Sequence, residues 1–294
     1  MASEALLDRL FLEKLERLTI HWEKSFSGLV GGHNSSRFAG GGQEFLDHRH
    51  FHHGDDLRAV NWRAYMRLEK MFLKMFQIEP RVPVRLLLDT SASMSATSEQ
   101  KFEYACKLAA ALCYVALVRL DTICIQPFAE GLGERFICGG GRHRFSPVMD
   151  YLSRLRPHGR TGFYQSVREF ISRYPQRGLL IVISDFLEDD GCEKALQYLS
   201  DFGHELLLVQ VWSEEDRRPP WTGELELVDA ETGSHVKMQV DERAREKYTT
   251  AFDDYAETMQ KVAARNSGRY VGVASTMSLE DVIFGSLVRA KGLV

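Results

Sequence analysis

The 294-residue chain has no apolar run long enough to cross a bilayer. Its longest, residues 109–118, is about half of the roughly 20 residues a helical span needs. The N-terminal stretch MASEALLDRLFLEKLERL interleaves acids and bases with leucines, so it lacks the apolar centre of a secretory signal. A basic excess is missing too. Lys+Arg number 37 against 41 Asp+Glu, a net charge of −4, which argues against a nucleic-acid binder. Cysteine is sparse: Cys106, Cys113, Cys124, Cys138 and Cys192 form no CxxC pair and no zinc spacing. They read as reduced thiols of a cytosolic protein. There is no GxxxxGK[ST] phosphate loop, no GxSxG, no internal repeat and no low-complexity tract. The expectation is a cytoplasmic protein without a transmembrane anchor.

What the chain does have is the size and composition of a globular α/β protein, 44% hydrophobic and 27% charged. Leu7, Leu10, Phe11, Leu15 and Leu18 fall on one face of a helix predicted over residues 3–18. Residues 28–45 are rich in Gly and Ser and read as a loop or a pair of short strands. From residue 84 onward strands and helices alternate. Strands are predicted at 84–88, 121–127, 178–184, 205–212 and 269–273, with a short one near Phe136. Helices are predicted at 99–118, 145–154, 163–174, 190–201, 241–266 and 278–289. Cys106 and Cys113, seven apart, belong to the core face of the first of these. Residues 223–240 read as an inserted hairpin turning at AETGSH. Alternation of this kind implies a mostly parallel sheet covered on both faces, and the unbroken apolar strands VRLLL, LLIVI and ELLLVQV agree.

Ligands of such sheets bind at the carboxyl ends of the strands. Two strands end in acids there: LLLDTSASM places Asp89, Ser91 and Ser93 on one tight loop, and LLIVISDF places Asp185 on another. Thr161, in GRTGFYQS, opens a helix after a third. Two carboxylates and three hydroxyls, with no Cys or His, are hard donors suited to Mg²⁺ or Mn²⁺ rather than zinc. Two acids converging on one crevice repel, and a divalent ion relieves that repulsion. Simpler readings stand beside this one. An Asp followed by serines at a strand end also makes a turn or a helix cap, and Thr161 can be a plain N-cap.

Asp89-Thr90-Ser91-Ala92-Ser93, Thr161 and Ser184-Asp185 resemble the metal-ion-dependent adhesion site of von Willebrand factor type A domains. The resemblance implies direct ligation of Mg²⁺ or Mn²⁺ by Ser91, Ser93 and Thr161. It implies direct or water-mediated roles for Asp89 and Asp185, with a partner's carboxylate completing the shell. A second resemblance spans nearly the whole chain. Gly42-x-Glu44-Phe45, then Arg49-x-Phe51-x-x-Gly54-Asp55-Asp56-x-Arg58-x-x-Asn61-Trp62, is similar to the signature of domain-of-unknown-function family 58, in its short soluble form. Phe51 stands where tyrosine is usual and Asn61 where aspartate is usual. The expected architecture is therefore a von Willebrand factor type A-like, Rossmann-type sheet flanked by helices over 81–294, with the hairpin insertion. An N-terminal helix, loop and strand extension over 1–80 carries the GDDLRAVNW segment. That segment is either a structural staple or a docking surface. His48, His50 and His52 would share one strand face; with His53 they form a solvated patch or, less simply, part of a transition-metal site.

Two functions follow as expectations. One is a protein-interaction module whose metal crevice captures an acidic side chain. The family resemblance implies a MoxR-type AAA+ ATPase, or its client, as partner in protein remodelling or assembly. The other is a Mg²⁺-dependent phosphoryl-transfer or hydrolytic enzyme using Asp89. It is disfavoured because Ser91 stands where a second acid would be needed and no catalytic constellation completes the site.

Overall fold

The structure is a computed structural model and describes residues 7–20, 37–39, 44–52, 57, 60–77, 83–187 and 191–294. The chain divides into two compact units, Ser25–Arg81 and the remainder, Met1–Lys24 with Val82–Val294. The first helix thus belongs with the α/β unit, not with the segment that carries the GDDLRAVNW signature. In chain order the described elements are α1 (Arg9–Leu15), β1 (Arg37–Ala39), β2 (Glu44–His50), α2 (Trp62–Leu68), β3 (Phe72–Gln77), β4 (Val84–Asp89), α3 (Ser93–Ala96), α4 (Glu99–Val118), β5 (Thr122–Phe128) and β6 (Phe136–Gly139). They continue as α5 (Phe145–Arg154), α6 (Phe163–Arg173), β7 (Leu179–Ser184), α7 (Cys192–Asp201), β8 (Glu205–Trp212), α8 (Glu214–Arg217), β9 (Gly223–Val228), β10 (His235–Val240), α9 (Glu242–Arg265) and β11 (Arg269–Ala274).

In the smaller unit β3 lies between β1 and β2, antiparallel to both. Asn61 caps α2 by accepting from the Ala64 amide at 3.2 Å, a role aspartate would fill equally. None of the residues of α2 is buried, and Trp62 is 53% exposed. His48 and His50 belong to β2, but His52 lies beyond the strand and His53 outside the described residues. Residues 54–56, 58 and 59 of the signature also lie outside them.

The larger unit carries the sheet expected from the apolar strands. Its order is β11-β8-β7-β4-β5-β6, parallel except for β6, which returns antiparallel to β5. Every residue of β4 and β7 is buried, because helices cover both faces. On one face Leu86, Leu88 and Ile181 pack with α1, α4, α5 and the turn Asp281–Leu287. On the other, Leu87, Leu180 and Val182 pack with α6, α7 and α9. Helix α4 is buried almost all round, and its alanines and the thiols of Cys106 and Cys113 fit that close packing. Burial pushes both thiols well above their ordinary range.

One local expectation needs correction. Leu10 is 68% exposed, whereas Leu7, Phe11, Leu15 and Leu18 are buried, so the inward stripe of the first helix is narrower than its leucines suggest. The last helix, expected at 278–289, spans residues 279–289 and is wound as a π-helix over Asp281–Leu287. Strand β4 leads to β5 on one side of it, and the chain then returns to place β7 on the other. The switch point of the sheet therefore lies at the carboxyl ends of β4 and β7.

Candidate metal centre at the switch point

Asp89 is the last residue of β4 and is fully buried. Its Oδ1 accepts from the Ser91 amide at 2.9 Å and its Oδ2 from the Ser184 hydroxyl at 2.5 Å. The Ser91 and Ser93 hydroxyls lie 2.9 Å apart. The loop that carries them is held on both sides. The Thr90 amide and hydroxyl both donate to the Phe128 carbonyl, at 2.8 and 2.9 Å. The His158 amide donates to the Thr90 carbonyl at 2.7 Å, and the Ala92 amide to the Gly159 carbonyl at 3.0 Å. Those last two bonds seat the 158–162 loop against the serine loop.

Thr161 does not cap α6. Gly162 occupies the N-cap position, and no side chain caps the helix. The Thr161 hydroxyl instead donates to Glu231 Oε1 at 2.6 Å while its amide donates to Glu231 Oε2 at 3.0 Å. Glu231 sits in the turn between β9 and β10. A Cβ at Gly162 would lie 3.0 Å from the Glu130 carbonyl oxygen, a tight contact that the backbone would have to relieve by a few tenths of an ångström.

Asp185 follows β7 and is also buried. Its position is set by a tight turn: the Ser184 hydroxyl accepts from the Phe186 amide at 2.9 Å, and Phe186 has φ +54°, a left-handed conformation a bulky residue rarely adopts. Strain of this kind persists only where the surroundings enforce it. Here the Phe186 side chain is buried, its carbonyl accepts from the Tyr255 hydroxyl, and the Asp185 carbonyl accepts from Gln210 Nε2 at 2.8 Å.

The Asp185 carboxylate meets a cation from within the chain. Lys101 Nζ, on α4 and 1% exposed, lies 2.9 Å from Asp185 Oδ2 and 3.1 Å from Asp216 Oδ2. Asp216 in turn accepts from the Thr97 hydroxyl at 2.5 Å and the Ser213 amide at 2.8 Å. Burial works to discharge Lys101, but its two carboxylate partners outweigh that and hold the ammonium above its ordinary range. Among the described residues Asp89 has no such cation. Burial pushes its carboxyl up to about 7, the neighbouring Asp185 charge adds to the push, and the bonds from Ser184 and Ser91 hold it back only in part.

A cleft of about 950 Å³ is lined by Ser93, Lys101 and Asp216 from helices α3, α4 and α8, by Asp185 from the loop after β7 and by Asp229 and Glu231 from the hairpin, whereas Asp89, Ser91 and Thr161 lie outside its lining. Asp89, Ser91, Ser93 and Ser184 form one bonded cluster, Asp185 belongs to the lysine network, and Thr161 is engaged by the hairpin. The donor set fits a hard divalent cation, since every candidate ligand is a carboxylate or hydroxyl oxygen. Burial first and the Asp185 charge second raise the Asp89 carboxyl, and a bound cation would lower it again. Lys101 limits how Asp185 can take part: with Oδ2 held by the ammonium and Oδ1 by the Leu187 amide at 3.2 Å, its part would be played through water or at a distance.

Sequence reasoning missed Lys101, Asp216 and Glu231. Ser213-x-x-Asp216 forms a capping box, a pattern visible in WSEED. No comparable sign marks Lys101 or Glu231.

A family model described as "Protein of unknown function DUF58" matches residues 47–258. Uncharacterized proteins of Mycobacterium tuberculosis and Mycobacterium bovis are 23% identical over 245 residues, covering 81% of this chain and 76% of theirs. Among solved structures, the conserved hypothetical protein BatB from Bacteroides thetaiotaomicron aligns with a TM-score of 0.43 at 18% identity, over 71% of this chain and 98% of that one. An aerotolerance-related membrane protein from Bacteroides fragilis aligns with a TM-score of 0.41 at 18% identity, over 71% and 99%. Among the described residues no helix is long and apolar enough to cross a membrane.

Proposed function

We propose a function from one premise: the chain belongs to the DUF58 family. Its α/β unit acts as a von Willebrand factor type A-like interaction module that holds Mg²⁺ or Mn²⁺ at the switch point and captures an acidic side chain of a partner protein. Ser91, Ser93 and Thr161 would hold the ion directly, with Asp89 and Asp185 supplying the negative field. When bound, the ion offers an open position to an outside carboxylate. The partner is a MoxR-type AAA+ ATPase or its client, in protein remodelling or assembly. The observation that supports this reading best is the pairing of the Ser91 and Ser93 hydroxyls beside the buried Asp89 carboxyl, which among the described residues has no cation against it.

The same observation weighs against the enzyme alternative. A nucleophilic carboxylate must be reached by substrate, and Asp89 is fully buried with both oxygens hydrogen-bonded. The test is retention of a purified MoxR-type ATPase on the immobilised chain. Retention should require Mg²⁺, be released by chelator, and be lost in Ser91→Ala. Retention unaffected by chelator would refute the metal-dependent reading. Turnover of a phosphate ester that disappears in Asp89→Ala would replace it with the enzyme.

A further inference from the structure

The turn between β9 and β10 is built to present one side chain. The Glu231 amide donates to Asp229 Oδ1 at 2.8 Å, and the Thr232 hydroxyl donates to the other Asp229 oxygen. Asp229 and Gly233 close the turn through their backbones: the Gly233 amide donates to the Asp229 carbonyl at 2.8 Å, and the Asp229 amide to the Ser234 carbonyl at 2.9 Å. Gly233 supplies the positive φ of +67° that this requires. The product is a rigid tip with a carboxylate at its point. That carboxylate grips Thr161 through both oxygens, one on the hydroxyl and one on the amide.

The arm behind the tip is lightly held. β9 and β10 pair with each other and with no other described strand. Leu225 and Leu227 stand opposite Met238 and Val236 on one face, yet Leu227, Val236 and Met238 are 40%, 58% and 42% exposed. A lone two-stranded ribbon with an uncovered apolar face is marginally stable on its own, so its tip contacts carry much of its placement. Residues 228–232 form one wall of the cleft and Ser93, Lys101 and Asp185 the other.

We propose that the β9–β10 hairpin is an internal ligand arm. Glu231 takes, from within the chain, the place over Thr161 that an acidic partner side chain must occupy. This rests on the interaction-module reading above and adds its regulation: capture of a partner requires the tip to lift. A hydroxyl can give its proton to Glu231 while its lone pairs face a cation, so the closed arm is compatible with a loaded site. The outside ligand is then an acidic side chain on an exposed turn resembling the tip itself. A site blocked most of the time by its own arm binds that ligand more weakly, in proportion to the open fraction.

The test uses the full chain, as wild type and as Glu231→Ala, with a labelled peptide copying residues 225–238 and a second peptide carrying Gln in place of the residue that copies Glu231. With saturating Mn²⁺, Glu231→Ala should bind the first peptide about ten-fold or more tighter than wild type, as release of an arm closed about nine-tenths of the time requires. The second peptide should bind neither. Exchange of the Thr161 amide should accelerate in Glu231→Ala, since that amide loses its acceptor. Equal peptide affinity for the two proteins, no peptide binding to Mn²⁺-loaded Glu231→Ala, or an unchanged Thr161 amide would overturn the arm. Paramagnetic titration of Mn²⁺ into both proteins separates the two ideas. If neither binds the ion, the metal reading fails, whereas the amide exchange still reports on the arm.

Discussion

Replacing Lys101 with Met should destabilise the larger unit severely. The two side chains are similar in length and volume, so the change removes charge more than packing. What remains is a pair of buried carboxylates, Asp185 and Asp216, that lose an ammonium 2.9 and 3.1 Å away. At an effective dielectric of about 20 each contact is a Coulomb attraction of roughly 5 kcal/mol. Desolvation of the ammonium offsets much of that, but breaking a buried ion network from one side typically costs about 3–5 kcal/mol. For a domain of this size, each kcal/mol moves the melting temperature by about 2–4 °C, so a fall of roughly 6–20 °C is expected. Calorimetry or denaturant titration measures it. The double variant Lys101→Met with Asp216→Leu removes one stranded charge together with the cation and should recover a large part of the loss. Mg²⁺ should stabilise Lys101→Met more than wild type, because Asp185 then lacks its own cation. A single variant as stable as wild type, or a double variant that recovers nothing, would refute the assignment of Lys101 as the internal counter-charge.

Asp89 sets the pH dependence. Its carboxyl is raised in the folded state by burial first and by Asp185 second, so between about pH 4 and 7 the native state holds a proton the unfolded chain has released. Its contribution therefore favours the fold at low pH and is lost as pH rises through about 7. Asp89→Asn should flatten that profile in chelator. In wild type the gain in melting temperature on adding Mg²⁺ should be larger at pH 8 than at pH 5, and thermal scans in both buffers check it. Gly162→Ala should cost about 1–3 kcal/mol and displace Thr161, because the new methyl meets the Glu130 carbonyl at 3.0 Å; weaker Mn²⁺ binding would be the functional readout.

Much of this was legible before any coordinates. VRLLLD and LLIVISD are apolar without alternation, which only a strand covered on both faces satisfies, and each runs directly into an acid. That places Asp89 and Asp185 at strand ends, and the helices expected at 99–118 and 145–154 are found with those bounds. Lys101 was not legible. In EQKFEYACK a lysine reads as solvent-facing, and its burial arises from Asp185 and Asp216, 84 and 115 positions away in the chain. Thr161 carried two readings, metal ligand and helix cap, and the structure excludes the cap. Its place before a helix suggests a cap, yet Gly162 takes that position and the hydroxyl turns to Glu231, 70 residues on. Partners of this kind are made by tertiary placement, which local spacing does not encode.

The most direct measurement is a titration of Mn²⁺ into the purified chain, followed by electron paramagnetic resonance, in wild type and in the Ser91→Ala, Ser93→Ala double variant. One ion per chain bound by wild type, with affinity lost in the folded double variant and displaced by Mg²⁺, is the predicted result. Absence of binding in wild type, or the same affinity without the two hydroxyls, would contradict it.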